Sequence, residues 1–220
     1  MTKRKSIGAL VPMRSGSERI QNKNLKLLAG KPLLYYILSS LSNSTFINQI
    51  YVSTDSAEIA RLCQEMFPVV QIIDRPTFLA TSETPMNEVI EHSLQEIDES
   101  IIFQTHSTSP FLKSQTIDQA CELFLLDTSN ESLFSATCLK ERLWTYDLQA
   151  INHNPQILLR TQDLEIVYSE NSAFYIFEKD QFNFTKNRIS KRPNIFQIDF
   201  PEYLDLDENW QWDFAEKLLR

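Results

Sequence analysis

Arg14, Ser15, Gly16, Ser17, Arg19, Lys23 and Asn24 crowd one polar loop directly after the apolar run Ile7–Val11. Arginine and lysine give charge-assisted hydrogen bonds to phosphate oxygens. A glycine among serines lets backbone N–H groups approach an anion closely. A strand feeding such a loop is a place to hold a polyphosphate, with Arg14 and Lys23 on the phosphates and Ser15, Gly16, Ser17 and Asn24 as further donors. Nucleotidyl transfer needs this chemistry, because oxygens that grow more negative in the transition state must be neutralised. The alternative for the same residues is a solvated surface loop. Two common phosphate loops are excluded, since neither G-x-x-x-x-G-K-[ST] nor G-x-G-x-x-G occurs in the chain.

A second constellation lies near the other end. In Tyr203-Leu204-Asp205-Leu206-Asp207 two carboxylates alternate with apolar residues. Strand-like spacing places both on one face, within reach of one cation, and Mg²⁺ favours a few carboxylates completed by water and phosphate oxygens. Asp207 read alone is also a plausible helix N-cap. A third cluster, His106-Ser107-Thr108-Ser109-Pro110, follows the strand-like run Ile101–Thr105 and offers hydroxyls to a polyhydroxylated ligand. His106 donates and accepts, and free histidine titrates near neutral pH.

These segments together resemble the acylneuraminate cytidylyltransferases, the CMP-sialic acid synthetases. The resemblance rests on R-S-G-S-E-R-I-x-x-K-N with L-A-G-K-P-L, on T-S-P at Thr108–Pro110, on Arg75-Pro76 with Leu79–Thr84, on R-T-Q-D-L at Arg160–Leu164 with E-N-S-A-F-Y at Glu170–Tyr175, and on D-L-D at Asp205–Asp207. Five departures stand out: Gln21 for proline, Ser82 for aspartate, Met86 for a small polar residue, His106 for glutamine and Ser172 for glycine.

The resemblance implies that CMP passes from CTP to the anomeric hydroxyl of a nine-carbon 2-keto sugar acid, sialic acid or a legionaminic or pseudaminic relative, releasing pyrophosphate. Arg14, Lys23 and Asp207 would be catalytic, and Asp205 and Asp207 would hold Mg²⁺. Either Asp207 or a metal-bound water would help take the hydroxyl proton, and the sequence does not choose between them. Arg75 and Thr84 would join the N-terminal loop around the nucleotide. His106, Thr108, Ser109, Arg160, Gln162 and Asn171 would contact the sugar. Read as residues alone, Arg75 equally suits a surface ion pair, and Arg160 equally suits a pair with Asp163 or Glu165. Two other functions remain open: a cytidylyltransferase for an eight-carbon (Kdo) acid, and a non-catalytic nucleotide-binding partner subunit.

Elements that would position these residues are legible in the hydropathy pattern. Apolar runs at Ile7–Val11, Gln49–Ser53, Val69–Ile73, Ile101–Thr105 and Leu133–Thr137 alternate with helical spacings at Leu33–Leu41, Ile59–Met66, Val89–Ile97 and Ile117–Leu125. Asp55 and Glu58 have capping-box spacing before the second helix. Such alternation predicts an α/β fold with a mostly parallel, Rossmann-like sheet covered by helices on both faces. The resemblance makes it nucleotide-diphospho-sugar transferase-like. Ligands of such sheets bind beyond the carboxyl ends of the strands, where residues 14–24, 54–58, 75–87 and 106–110 all fall. Tyr168–Glu178 alternates as a strand, and Asp207–Arg220 reads as a closing helix with Trp210, Phe214 and Leu218 inward. One domain over 1–220 is expected, and the resemblance implies that about 140–178 forms a small dimerisation and substrate extension, and so a homodimer.

Bulk properties agree. Net charge is −8 and the pI about 5.0, which argues against a nucleic-acid partner and sets the cationic loop against the overall sign. No apolar run approaches the ~20 residues of a membrane span, and the N-terminal apolar stretch is too short for a secretory signal. Cys63, Cys121 and Cys138 are widely spaced and read as free thiols in a reducing, cytoplasmic setting.

Overall fold

A computed structural model describes residues 6–16, 19–127, 129 and 131–220. Seven strands form one sheet in the order β5-β4-β1-β6-β8-β7-β9. They are β1 (Ile7–Pro12), β4 (Ile47–Thr54), β5 (Gln71–Asp74), β6 (Ile101–Thr105), β7 (Ser132–Leu139), β8 (Val167–Glu178) and β9 (Pro193–Gln197), while β2 (Leu27–Leu28) and β3 (Lys31–Pro32) make a small separate hairpin. Every pairing in the main sheet is parallel except those of β8, which runs antiparallel between β6 and β7. The expected mostly parallel sheet is present.

Strand periodicity splits the core in two. Ile7, Ala9, Val11, Ile50, Val52, Ile101 and Phe103 point to one face, where α1 (Leu33–Ser42), α2 (Ala57–Met66) and α4 (Ser114–Leu126) cover them. Leu10, Tyr51, Ile102, Tyr175 and Phe177 point to the other, beneath α3 (Met86–Ser93) and α5 (Lys179–Thr185). Sheet residues buried on both sides explain why β1 and the first three residues of β6 read as apolar runs without polar alternation. A third cluster joins Ile20, Leu28 and Leu33 to Leu204, Leu206, Trp212 and Ala215 of the C-terminal segment. It packs α6 (Asn209–Leu218) against the loop that follows β1.

Two local expectations change. Ser56, not Asp55, caps α2: its hydroxyl accepts from the Ile59 N–H, and Asp55 is engaged elsewhere. α6 starts from a capping box between Glu208 and Gln211, so its buried face is Trp212 and Ala215, with Trp210, Phe214 and Leu218 exposed. The strand expected over Tyr168–Glu178 is present as β8, inside the sheet.

Phe103 is fully buried and stacks on Phe174 with centroids 5.1 Å apart, at the junction of β6 and β8. Truncating it removes a large apolar volume from a packed interior. Phe103→Ala is expected to lower the unfolding free energy by about 3–5 kcal/mol, checked by urea denaturation.

Candidate active site

The carboxyl ends of β1, β4, β5 and β6 share one edge of the sheet, and the antiparallel β8 brings its early residues to the same edge, with Phe174 beside Thr105. A cavity of about 500 Å³ opens there. Its walls include Arg14, Arg19, Lys23 and Asn24 after β1, Arg75 after β5, His106, Ser107 and Thr108 after β6, Ser172 from β8, and Asp205 and Asp207 before α6.

The loop after β1 is held from several sides. The Ser15 N–H and hydroxyl both donate to Asp55, at 2.8 and 2.5 Å. Burial works to raise the Asp55 carboxyl, but these two donors and the charge of Arg75 outweigh it and leave its pKa below the ordinary value. The buried Asn24 amide donates to the Arg14 carbonyl at 3.0 Å and accepts from the Ser107 hydroxyl at 2.5 Å. Ser15 and Asn24 are therefore committed to shaping the loop. Gly16 is exposed, with open space where a Cβ would stand. Ser17 lies outside the described residues.

Arg75 is 4% exposed, which removes the surface ion-pair reading. Its guanidinium donates to the Ser53 carbonyl at 2.6 Å and to the Ser53 hydroxyl at 3.3 Å. Burial and the nearby charge of Arg14 push its pKa down to about 10, against the pull of Asp55. It remains a cation at neutral pH, seated in the cavity wall.

No strand forms over residues 203–207, yet the expected alternation holds in an extended segment. Leu204 and Leu206 are buried, and the Leu206 N–H is tied to the Thr108 carbonyl at 2.9 Å. Asp205 and Asp207 thereby both reach the cavity, in unlike surroundings. Burial raises Asp205, as does the neighbouring charge of Asp207, while a hydrogen bond from Thr108 and the charges of Lys23 and Arg19 oppose this; the net pKa is above the ordinary value. Burial also works to raise Asp207, but Lys23, bonded to it at 2.7 Å, and Arg19 at 3.4 Å outweigh it and bring it down. The Asp207 backbone N–H donates to Gln211 at 2.7 Å, and the cap itself is Glu208.

Oδ1 of Asp205 is enclosed and, among the described residues, has no hydrogen-bond partner, the environment an oxygen ligand of a divalent cation requires. Among the described residues no cluster of three or more His, Cys, Asp and Glu side chains has metal-binding geometry. A cation here would be held by Asp205 and Asp207 and completed by oxygens of a bound ligand. The residues fit a magnesium-type site of that kind.

Histidine chemistry differs from the sequence expectation. Burial, with the charges of Arg188 and Lys23, pushes His106 down to about 4 despite Asp207, so the ring is neutral at physiological pH. The remaining expected site residues scatter. Ser109 is buried beside the cavity, and Thr84 bonds Thr81 and Phe78 behind Ser82 and Glu83, which do line it. Asn171 is tied across the sheet to Ser135 and Thr137 at 2.6 and 3.0 Å. Arg160 pairs with Asp163 at 2.7 Å on an exposed arm, and Gln162 stands beside it, away from the walls of this chain's own cavity. Sequence reasoning did not single out Asp55, Gln104, Glu170 or Arg188 as site-shaping residues. Their roles come from contacts between residues distant in the chain.

Comparison with known proteins follows the same lines. Residues 8–218 match the family described as Cytidylyltransferase. The chain is 28% identical over 223 residues to an N-acylneuraminate cytidylyltransferase A of Danio rerio, covering 98% of this chain and 51% of that protein. It is 29% identical to a CMP-N,N'-diacetyllegionaminic acid synthase of Legionella pneumophila, covering 96% and 95%, and 29% identical to a pseudaminic acid cytidylyltransferase of Campylobacter jejuni, also covering 96% and 95%. It thus spans about half the length of the N-acylneuraminate relatives and nearly all of the other two. Among solved structures, a CMP:2-keto-3-deoxy-manno-octonic acid synthetase complexed with CTP superposes with a TM-score of 0.72 at 11% identity, covering 97% of this chain and 98% of that one. That likeness speaks for the fold alone.

Ionised Asp205 costs the folded chain free energy at pH above its raised folded pKa, and the cost fades as pH falls toward the unfolded value near 3.8. Asp205→Asn keeps the shape and the Thr108 contact without the charge. It is expected to stabilise the ligand-free protein by on the order of 1 kcal/mol at neutral pH, the gain shrinking to nothing in acid, as measured by urea unfolding of both proteins across pH.

Proposed function

The chain belongs to the cytidylyltransferase family, and on that premise we propose that it transfers CMP from CTP to the anomeric hydroxyl of a nine-carbon 2-keto sugar acid, releasing pyrophosphate. The carrying observation is the convergence in one cavity of the cations Arg14, Lys23 and Arg75 with the carboxylates Asp205 and Asp207. Such a cavity suits a highly charged triphosphate. Near full-length likeness to proteins named for legionaminic and pseudaminic acids supports a nine-carbon acid as acceptor.

In this reading Arg14 and Lys23 bind the phosphates and neutralise the departing pyrophosphate. Lys23, bonded to Asp207 before substrate arrives, exchanges that contact for phosphate oxygens. Asp205 and Asp207 hold Mg²⁺, which when bound supplies Lewis-acid stabilisation of the phosphates. Asp207, its pKa held low, is the weaker of the two carboxylates as a proton acceptor. Arg75 holds the nucleotide end of the cavity together with the loop bearing Ser82 and Glu83. His106, Ser107 and Thr108 offer neutral donors and acceptors to the sugar.

Pyrophosphate release from CTP and Mg²⁺ across a panel of 2-keto sugar acids, with ATP, GTP and UTP as controls, tests the reading. Release with CTP and a nine-carbon acid supports it. Turnover of an eight-carbon acid alone, or CTP binding without turnover, overturns it in favour of a Kdo enzyme or a non-catalytic subunit. Lys23→Met is expected to lower kcat by ~10²–10³ with CTP binding weakened, measured by the same assay.

The arm before β8 exposes Tyr146, Leu148, Ile157, Leu158 and Leu159. This apolar surface supports a homodimer in which the arm covers a second copy. The sugar-binding roles of Arg160 and Gln162 then belong to the cavity of that copy. Leu158→Asp is expected to shift the protein to monomer in sedimentation and to weaken the sugar KM more than the CTP KM.

A further inference from the structure

Gln104, at the end of β6, is fully buried and uses every hydrogen-bonding group it has. Its Oε1 accepts from Arg188 Nη1 at 2.6 Å. Its Nε2 lies 3.1 Å from the Thr105 carbonyl and 3.1 Å from His106 Nε2. A guanidinium only donates and a carbonyl only accepts. The amide is therefore fixed from both ends, with its oxygen on Arg188 and its nitrogen on Thr105.

One consequence follows for His106. The atom facing its Nε2 is an N–H donor, so Nε2 must present its lone pair. In a neutral imidazole the proton then sits on Nδ1. Among the described residues Nδ1 has no protein partner, and the ring lines the cavity. The Nδ1–H is left for a ligand.

Arg188 is placed for this task rather than for an ion pair. Its guanidinium lies 3.5 Å from the Tyr175 ring centroid, and among the described residues no carboxylate is within salt-bridge distance of it. Tyr175 in turn donates to Glu170 and contacts the hydroxyl of Ser172 at 3.0 Å, and Ser172, in the left-handed region at φ 60°, forms another part of the cavity wall. A planar cation stacked on an aromatic ring is rigid. It holds Gln104 from behind while the same tyrosine holds Ser172.

We propose that Gln104, locked by Arg188, is a positioning residue that fixes His106 as an Nδ1–H donor to an acceptor oxygen of the sugar acid. This rests on the reading of the cavity as a sugar-acid site. It makes the sugar contact of His106 a one-way donor, so an acceptor analogue lacking that oxygen leaves the N–H unpaired and is discriminated against.

The test combines spectroscopy and kinetics. Nitrogen-15 imidazole shifts of the full chain at neutral pH, resolved among three histidines, are expected to show His106 neutral with its proton on Nδ1. Gln104→Glu keeps a partner for Arg188 but turns an acceptor-only oxygen toward Nε2. That variant is expected to carry the His106 proton on Nε2, and to raise the sugar KM about tenfold while the CTP KM stays within about twofold. An Nε2–H signature in the unmodified protein overturns the proposal, whether or not the variant folds. So does a Gln104→Glu enzyme whose sugar KM is unchanged, or whose sugar and CTP KM rise together as general damage to the site would make them. The spectrum is recorded without substrate, so failure of the sugar-acid reading appears separately, as silence in the assay with the Nδ1–H signature intact.

Discussion

Lys23 and Asp207 stand 184 positions apart in the chain and meet at 2.7 Å. Their ion pair is half open to solvent, with side-chain exposures of 15% and 44%, so it contributes at most about 1 kcal/mol. What brings the two together is apolar. Ile20, Leu28 and Leu33 pack on Leu204, Leu206, Trp212 and Ala215, and this cluster closes the cavity by docking the C-terminal segment on the loop after β1. The polar tethers are then short-range and specific: Asp55 fixes Ser15, Ser107 fixes Asn24, and the Thr108 carbonyl fixes Leu206. Each neighbouring loop contributes one point of attachment, so a loop with almost no regular structure acquires a defined shape.

Electrostatics at this edge of the sheet run against the rest of the molecule. The chain carries a net charge of −8, yet Arg14, Arg19, Lys23 and Arg75 converge on one opening. Cations this close disfavour one another, as the effect of Arg14 on Arg75 shows. Asp55 and Asp207 offset that repulsion. A polyanion entering the cavity replaces these internal counter-charges at little reorganisation, because the cations are already in place. The part nearest β6 and β8 is different in kind. His106 is held neutral, and Ser107, Thr108 and Ser172 bring hydroxyls, so this part offers hydrogen bonds rather than charge.

The elements that carry the cavity were legible because they obey simple periods. β6 matches its apolar run, and α1, α2 and α4 follow their helical spacings. The loop after β1 and the pair Asp205–Asp207 were legible because chemistry and spacing coincide within a few residues. Reading failed where the deciding contact is remote or competes with a local signal. Trp210, Phe214 and Leu218 recur at helical spacing and outweigh Trp212 and Ala215 by eye, but the box between Glu208 and Gln211 sets the phase of α6, and Phe214 instead meets Phe200 at 5.9 Å. Asp55 and Glu58 have the spacing of a capping box, yet Asp55 gains more from two Ser15 donors across the cleft. β9 and α5 carry too many polar and aromatic residues to show a period. Arg188 has no local signature at all, since its partners Gln104 and Tyr175 are 84 and 13 positions away.

Asp205 and Asp207 show how a site can be assembled at the expense of local stability. Two carboxylates two positions apart have been driven in opposite directions, Asp205 up by burial and Asp207 down by Lys23. A core built for stability alone would not enclose a carboxylate with one oxygen left without a partner among the described residues, because desolvating an ionised group short of partners is unfavourable. Leu204 and Leu206 are anchored on either side of Asp205 and hold its backbone at the cavity wall. The same anchoring is what a cation site needs, since a ligand that must first be pulled from solvent binds more weakly than one already desolvated and aimed. The unsatisfied oxygen and the rigid apolar frame are therefore two sides of one arrangement, and the free energy withheld from folding is available to whatever neutralises Asp205 on binding.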